Sequence, residues 1–132
     1  MARWLAAVEP AHLQRLGRFI GRLAYHLDLR HRRIVRRNLA FVFPEHGRAV
    51  NESLARRAFE HFGMLVLENI QALVLPREAF GRRIRIEGLA ILEAALEQPR
   101  GCLLYSGHLG NWELGLLAGA ASLNRTALTV AK

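Results

Sequence analysis

His108 and Glu113 are the residues whose types and spacing can do chemistry together: an imidazole able to take a proton near neutral pH, and a carboxylate five residues on that can hold it. On an unbroken α-helix that step turns through about 500°, so the two side chains would stand roughly 140° apart and could not meet. The segment between them has to bend. Gly107 and Gly110 supply backbone conformations closed to other residues, and Asn111 is suited to cap a helix starting there. A loop histidine held by a carboxylate at a helix N-terminus is a base-plus-orienter pair, in which Glu113 fixes the ring tautomer and His108 takes the proton. The helix macrodipole alone also favours a glutamate in a first turn, and a histidine at a strand end is often structural. Trp112 reads as packing rather than chemistry, and Cys102 as a buried apolar residue of a strand.

The elements that must position the pair read as alternating strands and helices. Arg83 to Glu87 alternates charged and apolar residues and is closed by Gly88, which predicts a strand. Leu89 to Glu97 follows as a helix with Leu89, Leu92 and Leu96 inward. Cys102 to Tyr105 predicts the next strand, Glu113 to Leu123 the next helix, and Thr126 to Val130 a third strand. The expected fold class is α/β: N-terminal amphipathic helices followed by the start of a parallel-type β-α-β-α-β sheet, truncated at Lys132. Ligands bind such sheets beyond the carboxyl ends of the strands, where His108 would then sit. Gly101 to Asn124 carries one formal charge, Glu113, but its glycines, Asn111 and His108 interrupt it too often for a membrane-spanning helix.

Ahead of this lies a different kind of sequence. From Ala11 to Leu29, Leu13, Leu16, Ile20, Leu23 and Leu27 recur at helical spacing while Arg15, Arg18, Arg22 and His26 line another face. This predicts an amphipathic helix with a basic side, suited either to lie in a membrane interface or to pack on its own domain. Arg30 to Phe43 predicts a second helix ending at Pro44, and its Arg32, Arg33, Arg36 and Arg37 are candidates to bind the phosphates of a substrate, a lipid surface or RNA, or else form a solvated face. A third helix is expected from a cap at Asn51 through Leu75, burying Leu54, Ala58, Phe59, Phe62, Leu65, Val66, Ile70 and Leu73.

The 132 residues carry a formal charge of +8, unevenly placed. Residues 1–48 hold ten arginines against Glu9, Asp28 and Glu45, a net +7, whereas residues 86–132 are net −1. The division expected from this is a basic, membrane-associating helical region over 1–48 and the N-terminal part of an α/β domain over 49–132. An anionic partner for the first is implied: a phospholipid surface, a phosphorylated glycolipid, an acidic carrier protein or a nucleic acid. Nucleic acid is disfavoured because no exposed aromatics interleave with the arginines and no known module is present. A single cysteine rules out an intrachain disulfide framework.

The block Ser106-Gly107-His108-Leu109-Gly110-Asn111-Trp112-Glu113-Leu114-Gly115 resembles the catalytic motif of the bacterial lipid A biosynthesis (lauroyl/myristoyl) acyltransferases, within the lysophospholipid acyltransferase superfamily. Arg37-Asn38-Leu39, Phe43-Pro44-Glu45 and Arg85-Ile86-Glu87-Gly88 resemble the same family in the same order. The resemblance implies transfer of a fatty acyl group from an acyl carrier protein thioester, or from acyl-coenzyme A, to a hydroxyl of a lipid A precursor at the cytoplasmic face of the inner membrane. It implies His108 as general base and Glu113 as its orienter, with no cofactor, no metal and no nucleic acid. It also implies that 1–132 is an N-terminal portion, with the acyl pocket and oxyanion site incomplete. Another glycolipid or lysophospholipid acceptor remains open, as does a non-catalytic module that binds anionic lipid through its arginines.

Overall fold

A computed structural model describes residues 3–76, 84–100 and 102–123. Regular structure among them is helical throughout: α1 Arg3–Ala6, α2 Pro10–Leu27, α3 Leu29–Val42, α4 Arg48–Ala72, α5 Leu89–Leu96 and α6 Trp112–Leu123. The contacts divide the chain into two compact units, Met1–Gln71 and Ala72–Lys132.

Local chemistry sets the helix boundaries. Pro10 opens α2 behind an extended Glu9, and proline suits a first turn because its missing N–H would have no partner there. Asp28 ends α2 and caps α3: its carboxylate accepts from the His31 backbone N–H at 3.0 Å and lies 2.6 Å from the His31 imidazole Nδ1. The backbone N–H of His31, then its ring, hold the Asp28 carboxyl below its ordinary range. α3 stops before Phe43, whose backbone leaves the helical region because Pro44 follows. α4 begins at Arg48, three residues before the expected cap, where the Gly47 carbonyl accepts from Val50 and Asn51 at 3.0 and 3.2 Å. Asn51 is therefore a buried residue of the first turn rather than the cap.

The buried faces of α2 and α4 are not the apolar stripes that periodicity selects. α2 buries Leu13, Gly17, Gly21 and Tyr25, and α4 buries Asn51, Ala55, Gly63 and Gln71. The cause is close backbone approach. A Cβ added at Gly17 would stand 2.6 Å from the Met64 Cα, one at Gly21 would meet the Phe59 carbonyl, and one at Gly63 would meet the Gly17 carbonyl. Only glycine permits two helices to touch main chain to main chain here, and that contact leaves no room in the seam for large side chains. Leu16, Ile20, Leu23, Phe62 and Val66 are accordingly displaced to an exposed flank. The other flank is polar: Gln14 Nε2 donates to Glu68 Oε1 at 3.2 Å, Arg18 packs on the Met64 sulfur, and Arg22 Nε donates to Glu60 Oε1 at 2.8 Å.

Tyr25 joins α3 to this pair. Its ring meets Phe59 edge-on at 5.5 Å, with the guanidinium groups of Arg32 and Arg56 5.4 and 5.6 Å from its centroid. Its hydroxyl donates to Glu52 and accepts from Arg36, which also pairs with Glu52. At the far end, the buried Gln71 amide donates to the carbonyls of Leu5 and Val8 at 2.9 and 2.8 Å, tying the N-terminal turn to the end of α4.

In the second unit, Gly88 takes a left-handed conformation (φ 77°) ahead of α5. The expected β-α-β-α-β sheet is not found: no strand occurs among the described residues. Residues 84–86 and 102–107 run without regular structure, and the third expected strand, Thr126 to Val130, lies outside the described residues, as does Arg83. Alternation and a short apolar run describe side chains that would suit a sheet, but a strand exists only where a second backbone completes its ladder. No such ladder forms among the described residues, and Leu103 and Tyr105 are each 96% exposed. The placement of His108 at the carboxyl end of a strand therefore falls with the sheet.

Candidate active site

The segment from Ser106 to Glu113 is a turn leading into a helix. Leu109 N–H donates to the Gly107 carbonyl at 2.8 Å, Gly110 adopts φ 59°, and α6 starts at Trp112. Asn111 caps it, its side-chain oxygen accepting from the Leu114 N–H at 3.4 Å. His108 thus lies on the bent segment and Glu113 in the first helical turn. A carboxylate in the first turn of a helix suits the positive end of the macrodipole. Both side chains are exposed, and Leu103, Leu104, Tyr105 and Leu109 form an exposed apolar neighbourhood in the same stretch of chain.

The ring contact of His108 is with Trp112, edge to face at 4.8 Å and 81°. Trp112 therefore packs, but on the imidazole itself, a role that the four-residue spacing across a turn could have signalled. Such a contact restrains ring rotation from one side. Chemically the segment offers an exposed imidazole, an exposed carboxylate five residues on and exposed apolar side chains between and before them.

The four candidate arginines separate into two pairs. Arg32 and Arg36 turn inward, Arg32 donating to the Tyr25 carbonyl at 3.5 Å and Arg36 to the Tyr25 hydroxyl at 3.2 Å. Arg33 and Arg37 are exposed on α3. Tyr25 and Glu52, the partners that hold the inward pair, were not singled out in the sequence; a tyrosine at the end of a glycine-spaced line was the available signal. Among the described residues no cluster of histidine, cysteine and carboxylate side chains could hold a metal ion.

A bent, glycine-flanked histidine before a helix that opens with glutamate defines a candidate acid–base pair on a helical framework. Residues 1–127 match the family of bacterial lipid A biosynthesis acyltransferases, and the chain belongs to that family. It is 32% identical over 113 residues to the lipid A biosynthesis lauroyltransferase of Escherichia coli K12, covering 85% of this chain and 37% of that protein. It is also 32% identical over 100 residues to the E. coli palmitoleoyltransferase and to a lipid A biosynthesis acyltransferase of Shigella flexneri, covering 76% of this chain and 33% of each. The chain thus spans about a third of the length of the curated relatives it matches. No solved structure matches it.

Proposed function

We propose that this chain carries the general base of an acyltransferase that moves a fatty acyl group from a thioester to a hydroxyl of a lipid A precursor. Family membership over residues 1–127, together with the His108–Glu113 spacing across a capped helix start, is the observation that carries this reading. A neutral hydroxyl is a poor nucleophile at pH 7. His108 removes its proton as it attacks the thioester carbonyl, and Glu113 orients the ring and stabilises the imidazolium. The thiolate leaves, and the proton held by His108 is available to it. The donor is an acyl carrier protein thioester or acyl-coenzyme A, and the reaction takes place at the cytoplasmic face of the inner membrane, with the protein held at the interface. Residues 1–132 alone are expected to transfer little or no acyl group, because stabilisation of the oxyanion and binding of the acyl chain need further groups.

The test is acyl transfer from labelled thioester to a lipid A precursor by the intact gene product. His108→Ala is expected to lower the rate by about 10²-fold or more with membrane binding retained, and Glu113→Ala to lower it by less. Wild-type rates in both variants refute the dyad. They would favour the second reading, a non-catalytic module that binds anionic lipid, which the exposed arginines of α3 support.

A further inference from the structure

The last turn of α2 gathers more positive charge than its surroundings neutralise. Tyr25 is buried there, and three guanidinium groups converge on it: Arg32 and Arg56 stand 5.4 and 5.6 Å from its ring centroid, and Arg36 donates to its hydroxyl at 3.2 Å. Arg32 and Arg36 come from α3, Arg56 from α4. Among the described residues a single carboxylate answers them. Glu52 Oε1 pairs with Arg36 and lies 3.9 Å from Arg56 Nη2, and no acid pairs with Arg32. The neighbouring acids are engaged elsewhere, Asp28 with His31 and Glu60 with Arg22. Three cations against one anion leave two positive charges in surplus. Donors are in surplus as well, since Arg36 Nε has no acceptor.

We propose that Arg32, Arg36 and Arg56 form a binding site for a phosphate monoester, framed by Tyr25 and Glu52. The Glu52 side chain is 24% exposed, against 40% for Arg36 and 59% for Arg56, so the carboxylate holds both guanidinium groups from the more buried side and leaves them reachable from solvent. A guanidinium keeps its charge at any working pH, and its planar fork of N–H donors matches phosphate oxygens. Arginines already fixed by Glu52 and Tyr25 lose little further freedom when an anion arrives, which is what separates a built site from a free basic surface. The size of the surplus selects the ligand. A phosphate monoester carries about −2 charge near neutral pH and cancels it, whereas a phosphodiester, with one charge, cancels half. Arg33 and Arg37 stand outside this cluster, exposed on α3. Taking the monoester as part of the glycolipid acceptor rests on the proposed function; the site itself rests on the geometry of the first unit.

The test is calorimetric titration of the full chain near neutral pH with inorganic phosphate, glucosamine 1-phosphate and dimethyl phosphate. Saturable binding of the first two is expected, at least about tenfold tighter than that of dimethyl phosphate. Arg56→Gln should weaken it about tenfold or more by withdrawing a charge-assisted donor. Arg33→Gln/Arg37→Gln removes more charge from the same unit and should leave the affinity within about twofold. Far-UV circular dichroism reports whether the helices persist, and Arg32→Gln serves if Arg56→Gln unfolds. Tighter binding of glucosamine 1-phosphate than of inorganic phosphate supports a phosphosugar as the source, and equal affinities support the site as one for free phosphate. Absence of saturable binding by wild type overturns the proposal. So does a loss in the Arg33/Arg37 variant equal to that in Arg56→Gln, which would mark general attraction to a basic surface. Neither result bears on acyl transfer, which is judged separately by His108→Ala.

Discussion

Gly21→Ala adds one methyl group at the tightest point of the α2–α4 seam. The new Cβ would stand 2.6 Å from the Glu60 Cα and 2.7 Å from the Phe59 carbonyl carbon, against an ordinary carbon–carbon contact of about 3.5–4.0 Å. Every atom it meets is main chain, so no side-chain rotation relieves the clash, and the helices must part by about 1 Å. Overpacking of this kind costs about 1–3 kcal/mol. Replacing glycine by alanine inside a helix returns about 1 kcal/mol of backbone preference. The expected net loss is about 1–2 kcal/mol, since the clash is with backbone and the separation also loosens Gly17 and Gly63. For a unit of this size that corresponds to a fall in melting temperature of about 4–16 °C. Gly115→Ala in α6 is the control: nothing lies within 4 Å of its added Cβ, so the same backbone gain of about 1 kcal/mol should appear unopposed. Hydrogen exchange at α2 and α4 amides, followed through a urea series, reads the first variant locally, and exchange at α6 amides reads the second. If Gly21→Ala protects the α2 amides as well as wild type or better, the backbone contact is wrong.

Further expectations concern the caps and the buried polar joints. Gln71→Met keeps most of the volume but leaves the Leu5 and Val8 carbonyls without their amide donor, and should cost about 1–3 kcal/mol by urea unfolding. Tyr25→Phe removes the hydroxyl shared by Arg36 and Glu52 and should destabilise the first unit by about 1–2 kcal/mol, with faster exchange at α3 amides. Asp28 is held below its ordinary carboxylate range by His31, so its contribution is fully present above the unfolded-state pKa and is lost as pH falls through the lower folded value. Acid titration of α3 amide exchange should show that loss, and Asp28→Ala should remove the pH dependence without changing α6.

Helical periodicity located α2, α3 and α4 in the sequence, because proline, aspartate and glycine punctuate their ends. Which face each helix buries was not legible. Counting large apolar residues selects Leu16, Ile20, Leu23 and Phe62, whereas the seam is chosen by glycines that give no hydrophobic signal of their own. Leu13 appears in both because it lies where the stripe and the glycine line meet. The sheet was misread because strand patterns describe side chains and say nothing of whether a partner backbone is at hand. The bend was more legible: Gly110 and Asn111 dictate a turn and a cap locally, which puts His108 on the turn and Glu113 in the first turn of α6. Trp112 against His108 needed the actual path of that turn.

Backbone-to-backbone packing leaves little apolar bulk sequestered in the first unit: among the described residues, Leu13, Tyr25 and Ala55 are its buried apolar side chains. A fold with so small an interior keeps only a slender margin of its own, and any ligand that binds the folded unit alone adds to that margin by mass action. At a hundred times the dissociation constant the addition is about 2.7 kcal/mol. The melting temperature of this unit should therefore behave as a titration curve, rising with the amount of phosphate monoester supplied, so that folding and binding become a single equilibrium.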